Sequence, residues 1–388
     1  MGDLNVALAS AFYNYDMRGF LNCFVHSMAD CQREGGVVPS MLPTPKWENE
    51  NCIVWNSAFV FAVEKLHDYY GDAGFLREIY PDLRRFAQID MEALAEGEWI
   101  WPKWDFADWV SPIGDEYGKI DALSSEGHTL CSTAYAYAML RAMEKLARIL
   151  HENDDARIYE NAAEKVREAF DRKFYNADKQ IYETGEWRPS GKRTEYRQTS
   201  NLLPLSFGMV SGDKRKAVAE NLAKDFIAKD YHLDTGCVGT RAVLPVLFDE
   251  GYAEIAYRVL TQDTYPGWGH WIAKNGPSTG AWECWEPATR SRNHYFLGTY
   301  EEALYSHILG IRNVRDGFTH CTIAPEIECG LEFAEGSIQT VNGTVSCAWK
   351  KVDGKTIVET EVPDGTVAEV ILPGIREQIS GCKKEYIV

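Results

Sequence analysis

Apolar positions recur every three to four residues through most of the first three hundred positions. Leu4, Leu8 and Phe12 predict a helix over Leu4–Tyr13. Phe20, Phe24 and Met28 predict a second over Met17–Gln32, stopped by Gly35-Gly36 and Pro39. A third is expected over Ile53–Tyr70, closed by Gly71. Asp72 can then cap a fourth, running through Phe75, Ile79, Leu83 and Phe86 to Leu94. The period resumes over Gly127–Glu152, with Met139, Met143, Leu146 and Leu150 in register, and again over Asp155–Phe174. Residues 175–196 read as a hairpin and loop. Helices over Gln198–Val210, Lys214–Lys229, Thr240–Asp249, Tyr252–Gln262 and Tyr300–Leu309 bring the count to eleven. Consecutive antiparallel pairs closing into a ring bury that many amphipathic faces. A double ring of six pairs takes twelve helices, so the expectation is a barrel lacking its first.

After Asn313–Gly317 the period changes from 3.6 to 2. FTHCTIAP, GLEFAEGSIQT, GTVSCAWKKV, GKTIVETEV and GTVAEVILP alternate between turns, and Asp353-Gly354 and Asp364-Gly365 are hairpin-type signals. The fold class expected is mainly α, a helical barrel over residues 1–315. A small antiparallel β-sandwich over 316–388 follows, packed on the barrel in a structural role.

Two stretches break the pattern. Trp99–Ser125 is rich in Trp, Asp, Gly and Pro without a helical period, as functional loops often are. Its runs Trp101–Trp104 and Asp105–Trp109 mix aromatics with acids. Thr264–Gly298 holds Trp268, Trp271, Trp282 and Trp285, with Glu283 and Glu286 among them and His294 after. Pro266, Gly267, Gly269, Gly276, Pro277, Gly280 and Pro287 predict loop or short strand here. Aromatic faces cover the C–H faces of a sugar, and neighbouring acids bind its hydroxyls or move protons. The same residues also fit a wedge of core tryptophans with exposed glutamates.

A chain of 388 residues, 45% hydrophobic and 25% charged, has the composition of an ordinary soluble protein. No apolar run approaches the roughly 20 residues that span a bilayer. The first residues lack a basic region and include Asp3, which is a poor signal peptide, so a cytoplasmic location is expected. A net charge of −18 argues against nucleic acid and anionic membrane, and fits a neutral or cationic small substrate. None of the ten cysteines forms a CxxC pair, and neither a phosphate loop nor HExxH is present. No metal or organic cofactor is expected.

An ordered set of motifs resembles the inverting α-L-rhamnosidases along nearly the whole chain. It comprises GDLNVALASAFYNYDMRGFL, DCQREGGVVPSMLP, Asp108-Trp109, Gln198-Thr199, His232–Gly239, Tyr265-Pro266-x-Trp268-Gly269, Trp282-Glu283-x-Trp285, Asn293-His294-Tyr295 and Gly317–Pro325 with Trp349. The resemblance implies an (α/α)6 barrel followed by a β-sandwich, and hydrolysis of terminal α-L-rhamnosides by two carboxylates. It places the general base at Glu283, with Trp282 and Trp285 holding that carboxylate and excluding water. Asp3, Trp55, Asp108, Trp109, Trp268 and His294 join these two tryptophans as expected substrate-binding positions. Glu286 is an alternative to Glu283.

Three departures stand out. The family's general acid precedes its Gly-Asp by about seven residues, whereas this chain opens Met1-Gly2-Asp3, so the acid is expected to be absent. Trp55 is followed by Asn56-Ser57 instead of Gly-Asp. The stretch between Trp285 and Asn293 is short, which implies an altered aglycone side. Asp105, Asp108 or Glu286 are then candidate substitute acids. Competing expectations are a sugar-binding protein without turnover and a fragment that works with a partner chain. A lyase on the same barrel fits less well, because the pocket segments carry more acids than Arg or Lys. Apolar surface left where a first helix would pack favours a homo-oligomer or such a partner.

Overall fold

The computed structural model describes residues 1–33, 35–43, 51–112, 128–183, 196–273, 280–286, 289 and 291–388. The expectations for 113–125 and for most of the loop before 196 lie outside these residues.

The helices are α1 (Gly2–Asn14), α2 (Arg18–Asp30), α3 (Ile53–Asn56), α4 (Ala58–Tyr70), α5 (Ala73–Glu96), α6 (His128–Ile149), α7 (Asn153–Phe174), α8 (Gln198–Ser206), α9 (Gly212–Ala228), α10 (Cys237–Asp249), α11 (Ala253–Leu260) and α12 (Trp268–Ala273). A final helical turn, Glu301–Ala303, runs into a π turn, Leu304–Ile308. Local chemistry explains the boundaries. Gly71 closes α4 with φ 70°, and Asp72 Oδ1 accepts the Phe75 amide at 2.9 Å to open α5. The expected helix 53–70 is split at Ser57, and the stretch expected to be loop or strand contains the short helix α12.

Packing sorts the helices into two rings. α1, α4, α6, α8, α10 and the 301–308 turn touch one another in that order, and the turn returns to α1. Among the described residues, α2, α5, α7, α9 and α11 back this circle from outside. Composition follows position. All but two of the α10 side chains not counting Pro245 are buried, whereas α7 buries a single stripe: Ala156, Tyr159, Ala162, Ala163, Val166, Ala169, Phe170 and Phe174. An outer helix consecutive with each inner one lets the inner helices run parallel, so their N-termini share one rim.

Strands β1 (Tyr175–Asn176) and β2 (Ile181–Tyr182) form the expected small hairpin. The C-terminal strands are β3 (Ile311–Arg315), β4 (His320–Ile323), β5 (Phe333–Thr340), β6 (Gly343–Val352), β7 (Lys355–Val362), β8 (Val367–Leu372), β9 (Ile375–Ile379) and β10 (Cys382–Ile387). They make two four-stranded sheets, ordered β10-β7-β6-β5 and β3-β4-β8-β9. Strand β3 is bonded into the second sheet, so residues 311–315, expected with the barrel, belong to the sandwich. One pair departs from the antiparallel expectation: β4 and β8 run parallel. Parallel neighbours need a long crossover, and β5, β6 and β7 supply it through the other sheet. Asp353-Gly354 makes the expected hairpin, with φ 50° and 76° between paired Val352 and Lys355. Asp364-Gly365 instead turns the chain from one sheet to the other.

Hydrophobic packing is continuous from barrel to sandwich. Tyr13 Oη donates to the Ile311 carbonyl at 2.9 Å, and Trp349 Nε1 donates to that of Ile308 at 2.9 Å. A Cβ at Gly336 would come within 2.4 Å of Leu309, so the sheet approaches the barrel closely there. Among the described residues no helix is long and apolar enough to cross a membrane.

Candidate active site

The shared rim is built by loops that enter the inner helices. Loop 101–112 is pinned from below by two acids. Asp105, 1% exposed, accepts the Val54 amide at 3.0 Å at the start of α3 and the Ala107 amide at 3.4 Å. Burial pushes its carboxyl up to about 7 against these hydrogen bonds. Asp108 is fully buried. It takes the amides of Gly236 (2.8 Å), Val238 (3.1 Å) and Gly239 (2.9 Å) at the entry to α10, and the Thr199 hydroxyl in the first turn of α8. Burial raises its carboxyl as well, with the Thr199 and amide bonds opposing. Asp108 was expected to touch substrate, but its carboxylate has no surface to offer: it joins three segments of the rim. Glycine is required on the receiving loop, because a Cβ at Gly236 would lie 2.3 Å from the Asp108 and Trp109 carbonyl oxygens.

An aromatic wall stands on this base. Trp55 stacks on Phe106 with centroids 3.9 Å apart and planes 11° apart. Trp104 and Trp109 meet Phe106 edge-on, at 4.7 and 5.5 Å. Phe296 meets Trp55 edge-on, and His294 meets Phe296 in turn at 5.0 Å. The His294 Nε2 atom lies 2.6 Å from Asp3 Oδ1. Gly2 permits this closure, since a Cβ there would lie 2.6 Å from the Trp55 ring. Burial pushes the Asp3 carboxyl up, but the hydrogen bond and charge of His294 outweigh it and hold Asp3 below its ordinary value. The Cys237 thiol is pushed well up by burial, and Asp108 and Asp3 act on it in the same direction. It is therefore packing, not a nucleophile.

The described residues of Thr264–Gly298 form the other side. Trp268, Trp271, Trp282 and Trp285 are buried together, between 0% and 5% exposed. Trp271 stacks on Trp282 and Trp285 at 5.7 and 5.2 Å, and Trp268 meets Trp285 at 6.1 Å. Two polar edges are used internally: Trp285 Nε1 donates to the Thr235 carbonyl at 2.8 Å, and Trp268 Nε1 to that of Leu297 at 2.7 Å. Substrate contact was expected of Trp268, Trp282 and Trp285, but rings this buried have no face left for a sugar. They hold the loop instead.

Glu283 and Glu286 are half-buried on this wedge, between the fully buried Trp282, Cys284 and Trp285. The segment folds back on itself. Glu283 donates its amide to the Ser291 carbonyl at 3.0 Å, and His294 donates its amide to that of Ala281 at 2.9 Å. Glu283 therefore rides on a backbone paired with the segment that carries His294. Glu286 accepts the Tyr265 hydroxyl at 3.0 Å. The structure thus brings Asp3, Trp55, Trp109 and His294 together around Phe106 and Phe296. Sequence reasoning passed over Phe296 and Gly2; the aromatic run at 104–109 was the signal available for Phe106.

Residues 1–308 match the family described as the bacterial α-L-rhamnosidase six-hairpin glycosidase domain, and residues 310–386 match the bacterial α-L-rhamnosidase C-terminal domain. An α-L-rhamnosidase of Streptomyces avermitilis is 30% identical over 383 residues, covering 96% of this chain and 34% of its own length. One from Alteromonas sp. (strain LOR) is 29% identical over 382 residues, covering 96% and 40%. Among solved structures, the α-L-rhamnosidase of Dictyoglumus thermophilum superposes with a TM-score of 0.86 at 29% identity, covering 95% of this chain and 40% of that one. The Streptomyces avermitilis enzyme complexed with L-rhamnose superposes with a TM-score of 0.85 at 26% identity, covering 100% and 38%. The chain spans between 34% and 40% of the length of the curated relatives it matches. The two family matches together take in the barrel and the sandwich, and the chain belongs to the bacterial α-L-rhamnosidase family.

Proposed function

We propose that this chain carries the sugar-binding rim and general base of an inverting α-L-rhamnosidase. The observation that carries the reading is the setting of Glu283: a half-buried residue between buried Trp282 and Trp285, on backbone paired with the segment that carries His294. Glu283 takes a proton from water as the water oxygen attacks the anomeric carbon. The glycosidic C–O bond breaks, its electron pair stays on the leaving oxygen, and the sugar leaves with inverted configuration. Asp3 and His294 bind sugar hydroxyls, and Trp55 and Trp109 line its apolar face. Trp268, Trp282 and Trp285 position Glu283, and Asp108 positions the loop that holds Trp109.

The leaving oxygen also needs a proton. Asp105 and Asp108 are poor donors to it, because both are buried and committed to backbone amides. Glu286, half-buried on the wedge, is the best-placed candidate donor of the three. This commitment of the two aspartates favours a second reading, a rhamnoside-binding protein without turnover.

Hydrolysis of an aryl α-L-rhamnoside tests both, since a phenolate leaving group needs little acid help. The expected result is release of aglycone with β-L-rhamnose as first product by NMR, reduced at least about 10²-fold in Glu283→Gln. Calorimetric binding of L-rhamnose without turnover establishes the second reading. Retained configuration, or a Glu283→Gln variant as active as the parent, excludes the first.

A further inference from the structure

We infer that His67, Asp68 and Asp316 form a binding site for a divalent first-row transition ion that fastens the barrel to the sandwich. One ligand atom from each lies within 4.8 Å of the other two. His67 and Asp68 come from the last turn of α4. Asp316 comes from the turn between β3 and β4, where the backbones of Gly71 and Gly317 meet. The second observation concerns the imidazole itself. His67 is 4% exposed, and its Nδ1 atom lies 3.2 Å from Asp316 Oδ1 yet is aligned for no hydrogen bond. A buried ring nitrogen that faces the Asp316 carboxylate without a hydrogen bond, with an Asp68 oxygen within 4.8 Å of the same cluster, is an arrangement a metal ion satisfies.

The donor set is one imidazole and two carboxylates. It suits Mn²⁺ through Zn²⁺ better than Ca²⁺, which prefers oxygen alone. Ligand atoms about 2.1 Å from an ion stand at most about 4.2 Å apart. The half-exposed Asp316 side chain closes the remaining gap by rotating. A cleft of about 440 Å³, lined in part by Arg141, Lys145, Arg148 and Asp316, opens beside the group and admits water to complete the shell. Three cations oppose binding: Lys145 Nζ lies 2.6 Å from Asp68 and 3.0 Å from Glu64, and Arg141 and Arg148, both paired with Glu144, line the same cleft, so affinity is set chiefly by competition with the Lys145 ammonium.

The chain contains ten cysteines, so the probe must separate thiolate from nitrogen and oxygen ligands. The full chain, stripped with chelator, is titrated with MnCl2 followed by EPR and with CoCl2 followed by absorption. One equivalent of each should bind, without a thiolate-to-cobalt band. Tm should rise by about 3 °C or more at a hundredfold excess over Kd. Asp316→Asn, an exposed position remote from the rim, should weaken binding at least tenfold and leave rhamnoside turnover unchanged. Lys145→Met should tighten it. Absence of saturable binding, a thiolate band, or affinity indifferent to Asp316→Asn overturns the inference, as does unchanged or weaker binding in Lys145→Met.

Discussion

His294 Nε2 lies 2.6 Å from Asp3 Oδ1, tying the first turn of α1 to the segment paired with Glu283. The Asp3 side chain is 58% exposed, so the pair contributes little to stability, as exposed ion pairs do. Under the proposed function its worth lies in presenting the sugar with a carboxylate already oriented by a ring. Asp3→Asn is therefore expected to change Tm by less than about 1 °C. It should lower kcat/KM on an aryl rhamnoside by about 10- to 100-fold, the scale of a charge-assisted hydrogen bond. Parallel thermal and kinetic measurements check the split; a large Tm loss without a kinetic effect counts against it.

The tryptophans should separate by function. Trp285→Phe removes the bond to Thr235 and buried area, and is expected to cost about 2–3 kcal/mol in urea unfolding. Trp109→Ala, at a half-buried position on the wall, should cost less stability and raise KM several-fold. Equal KM effects from the two would return Trp285 to a substrate-contact role.

Asp108→Asn sets an amide N–H₂ against backbone N–H donors, since both carboxylate oxygens already accept from them. A loss of about 3 kcal/mol is expected, with kcat/KM falling as the Trp109 loop loosens. Denaturant midpoints and kinetics at 10 °C, where the variant stays folded, provide the check.

Stability should depend on pH in a defined sense. Burial raises Asp90 and Asp105 to about 7 each. A carboxyl raised in the folded state binds its proton more tightly there, so its contribution is fully present below about pH 4 and is lost as pH climbs to about 7. Asp3 acts oppositely: its depressed value contributes above about pH 4 and is lost below. Unfolding free energy should thus peak in mild acid. At Asp90, one oxygen accepts from Asn51 at 2.8 Å while the other has no hydrogen-bond partner, leaving room for an amide. Asp90→Asn should stabilise the protein by about 2 kcal/mol at pH 8 and by almost nothing at pH 4, flattening the profile. Equal effects at both values would show that Asp90 ionises freely.

Local signals in the sequence were readable where one residue type meets one backbone need. Gly71 and Asp72 mark a helix end and the next start, the α7 stripe names its buried face, and Asp353-Gly354 names its turn. The two-ring packing followed from counting helices. What stayed hidden depends on distant partners. Asp108 reads as a pocket acid until Gly236, Val238 and Gly239 are seen on its oxygens. The tryptophans of 268–285 suit a sugar or a core equally well, and only burial separates these. The β4–β8 pairing and the meeting of His67 with Asp316 join residues far apart in the chain, with no periodicity to announce them.

Strand β3 receives the Tyr13 hydroxyl at Ile311, at the far end of the helix whose first turn bears Asp3. At about 1.5 Å per residue, that helix sets some 15 Å between sandwich and rim. The sandwich closes the floor of a bowl whose mouth it never reaches. Evolution can therefore retune the floor for endurance without altering what the mouth accepts, and a grafted floor should change how long the protein lasts and leave its choice of sugar alone.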